Sequence, residues 1–144
     1  MMTEIIKGSP TYLAKVAMDI PQVKRCVFTL VMNQINEQCR KLCAKTTEKP
    51  SVLRVSRKAQ KNLSTFKWID ILREMRERAP DVLDFLVTIG VSHVKEDGSQ
   101  VAPLCVAFGI LMNVRSRELS MVQKIATVIL GSGNATKRYL DFSN

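Results

Sequence analysis

Five prolines, at positions 10, 21, 50, 80 and 103, divide the chain, and four of them stand where a helix can begin. Proline lacks the backbone N–H and has a fixed φ, so it is tolerated in a helix's first turn and disrupts a helix or a central strand elsewhere. Ser9 before Pro10 forms a cap-and-proline start, and predicts a short helix with Tyr12, Leu13, Val16 and Ala17 on one side. Asp19-Ile20-Pro21 repeats the signal and opens a longer helix to about Ala44. In it Val23, Val27, Leu30, Val31, Ile35 and Leu42 fall near helical spacing. Thr46 to Pro50 is a polar break.

The second half carries the same punctuation. Ser51 caps a predicted helix over Val52 to Leu63, and Ser64 or Thr65 caps another with Trp68, Ile71, Leu72 and Met75 as its apolar stripe. The i,i+4 pairs Arg73/Glu77 and Glu74/Arg78 on its other face read as a solvated surface. Pro80 starts a further helix, with Asp81 and Asp84 where the dipole favours anions and Gly90 as its stop. Val91 to Gln100 is the main loop. Pro103 opens a helix to about Val114 that is apolar nearly all round, as a buried central helix is. Ser120 caps the next, with Met121, Val122, Ile125, Ala126, Ile129 and Leu130 apolar. Gly131 to Asn134 reads as a turn, and Ala135 to Phe142 as a last short helix. No run alternates as a strand does. The expectation is an all-α protein, a single compact bundle of six or seven helices in one domain over 1–144, with the helix near 103–114 at its centre.

The 144 residues are 46% hydrophobic and 24% charged, an ordinary globular composition with enough core to need no staples. Cys26, Cys39, Cys43 and Cys105 then need no disulfide framework. The start Met-Met-Thr-Glu-Ile-Ile-Lys lacks the n- and h-regions of a signal peptide. The longest uncharged run, Ser99 to Val114, falls short of the roughly 20 apolar residues that span a bilayer. An intracellular protein, nuclear or cytoplasmic, with reduced thiols is expected.

The positive charge is one-sided. Residues 1–78 hold 16 Lys and Arg against 7 Asp and Glu, which is the whole net charge of +9, and residues 79–144 hold 6 of each. Lys49 to Lys67 carries six basic residues and no acid. On the predicted helix Arg54, Arg57, Lys58 and Lys61 share about 100° of arc, with Val52, Val55, Ala59 and Leu63 opposite. Arg40, Lys41 and Lys45 lie close by in sequence. Such a face neutralises phosphates without reading bases, and four contacts give a salt slope of about −3.6. A solvated helix face has the same periodicity, but usually mixes signs. The expected partner is a nucleic-acid phosphate backbone or an acidic protein surface. The alternative is an interaction or oligomerisation module in which apolar helices pair between chains.

Other constellations are weaker. Cys39 and Cys43 at i,i+4 are half a metal site, with His93 and Cys105 the only other candidates, and buried inert thiols explain them better. His93 beside Lys95-Glu96-Asp97 is a solvated loop residue. Ser116 to Gly133 has helix-turn-helix length, but exposes only Gln123, Lys124 and Thr127 to a groove and reads as core. Gly131-Ser-Gly133 lacks the lysine and the preceding strand of a P-loop. No enzyme activity, cofactor or metal is expected.

A string of landmarks carries a resemblance. Cys39 with Leu42-Cys43 is followed by Ser51-Val52-Leu53-Arg54, then by Phe66 and Trp68, then by Arg76-Glu77-Arg78-Ala79-Pro80 with Phe85-Leu86. Ile110-Leu111, Arg115, Met121, Gln123, Ile129-Leu130, Gly133 and Lys137-Arg138 with Leu140 complete it. In that order they resemble the N-terminal helical region of uncharacterised, multi-copy animal proteins that look derived from mobile elements and similar to transposases. The resemblance implies a helical module, here a truncated copy, because members usually continue into a larger C-terminal region. It carries over no functional residue.

Overall fold

The computed structural model describes residues 9–45, 48–55, 65–93 and 95–141, with side chains to residue 132. These residues form six helices and no strand: α1 Pro10–Asp19, α2 Pro21–Cys43, α3 Trp68–Arg78, α4 Pro80–Gly90, α5 Val101–Arg115 and α6 Met121–Asp141. The protein is all-α, as the proline spacing predicts. Pro10, Pro21 and Pro80 each open a helix. Pro103 lies inside the first turn of α5, where its missing N–H has no intrahelical partner to lose. Contacts group the chain into two units, Met1–Glu37 and Gln38–Asn144.

The first unit holds α1 and most of α2. None of its described residues is buried, although Tyr12, Val16, Ile20, Val23, Val27, Phe28, Leu30 and Val31 are all apolar or aromatic. Leu30 is 67% exposed and Tyr12 64%.

The second unit has the core. α5 packs against α3, α4 and α6, and α3 against α4, so α5 is the hub. Ile71 and Met75 of α3, Val82 of α4, Cys105, Phe108 and Met112 of α5, and Met121 and Val122 of α6 are buried, with Leu42, Leu53 and Leu119. Gly109 lets α5 and α6 approach closely: a Cβ there would come within 2.8 Å of Val122 Cβ. Gln38, near the end of α2, ties that end to the start of α4. Its Nε2 donates to Asp81 Oδ2 at 2.7 Å, and its Oε1 accepts the Asp81 N–H at 3.2 Å.

Several expectations need correction. α5 is central but not wholly buried, since Ile110, Leu111 and Val114 face solvent, Val114 at 82% exposure. Among its described side chains, those to residue 132, α6 is buried only over its first turn, and Val128, Ile129 and Leu130 are exposed. The expected turn at Gly131 is absent: α6 runs unbroken to Asp141. A glycine costs a helix about 1 kcal/mol against alanine but does not by itself end one. The α3 cap is Lys67, without a side-chain bond, rather than Ser64 or Thr65. No helix among the described residues is long and apolar enough to cross a membrane.

Candidate nucleic-acid interface

The helix expected from Val52 does not form over its described residues. Residues 52–53 make a turn and 54–55 continue without helix. Glu74 anchors the segment. This carboxylate, 5% exposed on α3, accepts from Ser51 Oγ at 2.7 Å and from the Val52 N–H at 3.2 Å. Arg78 Nη1 donates to it at 2.8 Å. Glu74 thus takes donors that a first helical turn would leave open. The Leu53 carbonyl accepts from the Met121 N–H at 3.1 Å, and the Val55 N–H donates to the Glu118 carbonyl at 3.2 Å. The segment 51–55 is therefore laced to α3 on one side and to the α5–α6 turn on the other. Local helix propensity loses to two inter-segment backbone bonds, which take the Leu53 carbonyl and the Val55 N–H that a helix would use.

The lacing fixes Arg54, the first of the predicted phosphate contacts. Its side chain is only 17% exposed. Nη2 donates to the Cys43 carbonyl at 2.9 Å and to the Ala44 carbonyl at 3.4 Å, so it satisfies carbonyls that the end of α2 leaves open. Nη1 bonds the Glu118 carboxylate. Arg54 is spent inside the protein, and its place on an outward cationic helix is corrected. Arg57, Lys58 and Lys61 lie outside the described residues.

Around Arg54 the structure gathers other cations. Lys45 Nζ meets Glu118 Oε1 at 2.6 Å and is 73% exposed. Arg40 and Lys41 occupy the last turn of α2, and Arg115 the last turn of α5. All three are exposed, as is Arg117 beside Glu118 in the turn. Arg115 lies near the end of α2. Burial raises the Cys39 and Cys43 thiols above their ordinary range, and the Arg115 charge pulls both back in part. Lys45 and Arg54 thus meet at Glu118, and the segments 40–45, 51–55 and 115–118 together hold six Arg and Lys against that one acid. Hydrogen bonding by Lys45, then by Arg54, holds the Glu118 carboxyl below the usual carboxylate range. Cations at helix C-termini are also favoured by the dipoles of α2 and α5, each by about 0.3–1 kcal/mol. That accounts for Arg40, Lys41 and Arg115, but not for Lys45 and Arg117.

Sequence reasoning finds Arg40, Lys41 and Lys45 and misses Arg115 and Arg117. They belong to the half of the chain without net charge, and only the fold of α5 returns them to the end of α2. The signal available in sequence was Arg115-Ser-Arg117 closing an apolar helix.

The remaining candidates resolve simply. Glu74 and Arg78 form a buried pair rather than a solvated one, and Arg73 bonds Asp70 at 3.1 Å while Glu77 meets Lys49 at 3.4 Å. Lys49, Asp70, Arg73, Glu74 and Glu77 line a groove of about 470 Å³ that mixes both signs. Cys39 and Cys105 are buried and Cys26 is exposed. Burial pushes the Cys105 thiol up to about 11. Among the described residues no group of three or more His, Cys, Asp and Glu is placed to hold a metal. His93 is exposed, and its carbonyl accepts from Gln100 Nε2 at 2.7 Å. No family model, curated protein or solved structure matches the chain.

Proposed function

We propose that the protein is a non-catalytic helical module that binds nucleic acid through phosphate contacts, without reading base sequence. The binding surface is the patch at the end of α2 and the α5–α6 turn, with Lys41, Lys45 and Arg117 as its outward cations and Arg40 and Arg115 beside them. The observation that carries the reading is that Lys45 and Arg54, from two distant segments, meet on Glu118, with Arg40, Lys41, Arg115 and Arg117 exposed on the same or adjoining turns. A surface kept merely soluble intersperses acids; here the one acid is already engaged by two cations. Arg54 acts as the strut that holds the α2 end to the turn. The ordered sequence landmarks support a mobile-element origin, and four cysteines without a disulfide among them support a reducing compartment, nuclear or cytoplasmic.

Binding of duplex and single-stranded DNA and of RNA, titrated with salt from about 50 mM, tests this. Five phosphate contacts give a duplex log K against log salt slope of about −4.5. Lys41→Glu and Arg117→Glu each weaken binding across all sequences and make that slope shallower by about 1 or more. Undetectable binding at 50 mM salt, or affinity indifferent to salt, sinks the reading.

A further inference from the structure

The first unit presents a different problem from the basic patch. It contains two helices and a full complement of apolar side chains, yet not one described residue is buried. Short helices in water draw most of their stability from packing an apolar face rather than from propensity. Residues 21–31 of α2 are exposed all round, and three of the apolar ones share one seam, with Phe28 off it. Val23, Val27 and Leu30 follow the 4–3 spacing of a coiled-coil d–a–d run, with Val31 on its flank. β-Branched Val27 at an a position beside Leu30 at d is the combination that favours two strands. On α1, Tyr12, Val16 and Ile20 repeat a 4-residue step.

Area and charge choose the occupant. Tyr12, 64% exposed, leaves on the order of 100 Å² in water, since a buried aromatic covers about 150–250 Å². The seven on these two stripes, Tyr12, Val16, Ile20, Val23, Val27, Leu30 and Val31, expose on the order of 500 Å², the larger part of the roughly 800 Å² that each partner gives to a standard interface. Residues 1–37 hold four Lys and Arg against three Asp and Glu, a net of +1, which leaves +8 to residues 38–144. A polyanion or an acidic protein is drawn to the second unit. The first offers an apolar, nearly uncharged seam that meets its own copy without repulsion, as a two-fold symmetric interface requires.

We infer that the protein self-associates as a homodimer through α2, the Val23, Val27, Leu30 seam of one chain packing on the same seam of a second copy with the exposed residues of α1 alongside. This surface is independent of the basic patch. Analytical ultracentrifugation of the full chain over a hundredfold concentration range tests it. The expected mass is that of two 16.2 kDa chains at high concentration. Val27→Asp and Leu30→Asp, both at positions exposed in the single chain, bring it to one chain at every concentration. Leu111→Asp with Val114→Asp, on the exposed face of α5, leaves the dimer intact. A wild-type monomer throughout overturns the proposal. So does a dimer that survives both α2 changes, or one that the α5 changes dissociate. Near-ultraviolet circular dichroism around Trp68, in the second unit, reports whether an α2 variant keeps that core. If a seam variant lost it, Val27→Gln with Leu30→Gln takes its place under the same criteria.

Discussion

Glu74 shows how one residue can reverse a prediction. Its place at i,i+4 from Arg78 reads as an exposed pair, and in an isolated helix that pair is worth only about 0.2–0.5 kcal/mol. In the fold the carboxylate is buried, and three donors, from Ser51, Val52 and Arg78, converge on it. Glu74→Ala strands Arg78 and the Ser51–Val52 donors in a poorly hydrated site. It should lower stability by about 2–4 kcal/mol, read as a fall in urea midpoint at unchanged m-value. An effect below about 0.5 kcal/mol would place the pair in solvent after all. Cys105 gives a second expectation at this scale. Its thiol is buried, donates to the Trp68 carbonyl at 3.4 Å, and keeps its proton up to about 11 instead of 9.0. Above pH 9 the unfolded chain loses that proton while the folded chain keeps it. The stability due to this group is therefore complete below 9 and declines from there towards 11. The wild type should lose stability more steeply between pH 9 and 11 than Cys105→Ala; parallel slopes would contradict this. Neither role can be read from residue identity, because both follow from what the fold removes from water.

At the scale of helices, much could be read and the failures share a cause. Pro10, Pro21 and Pro80 mark their helix starts to the residue, because the pyrrolidine constraint is local. The stripe Ile71, Met75 is buried as its periodicity predicts. The failures occur where non-local contact decides. Residues 52–55 give up their helix to backbone bonds with the α5–α6 turn, and α6 carries on through Gly131. The apolar girth of α5 suggests burial on every side, but only Cys105, Phe108, Gly109 and Met112 achieve it. Gly109 is the tightest point of that packing. Gly109→Ala gains about 1 kcal/mol of helix propensity but drives a methyl into Val122. A net loss of about 1–3 kcal/mol is expected. Val122→Ala in the same chain should recover part of it, which a double-mutant cycle by thermal or urea unfolding measures. Strict additivity of the two changes would deny the close approach.

Across the whole molecule the charge asymmetry is a matter of space more than of chain order. The division at residue 78 seen in sequence becomes, in the fold, a patch that borrows Arg115 and Arg117 from the neutral half and turns Arg54 inward. Three of the seven predicted cations, Arg40, Lys41 and Lys45, lie at that patch. Arg54 underpins it, and the others fall outside the described residues. Composition could locate the charge along the chain but could not show which cations the protein uses on itself. Glu118 makes the point sharpest. Its carboxylate sits among the cations as a phosphate oxygen would, held by Lys45 and Arg54. On the proposed reading, an incoming polyanion must displace an anion that is covalently attached, and Glu118 acts as a built-in competitor. Removing it by Glu118→Gln should strengthen binding to duplex DNA several-fold at low salt, because Lys45 no longer exchanges a carboxylate for a phosphate. Unchanged or weaker binding in that titration would show that Glu118 serves only to brace the turn. On this view the carboxylate sets a threshold, so that short or sparsely charged anions are turned away and only a long, dense one can outbid it.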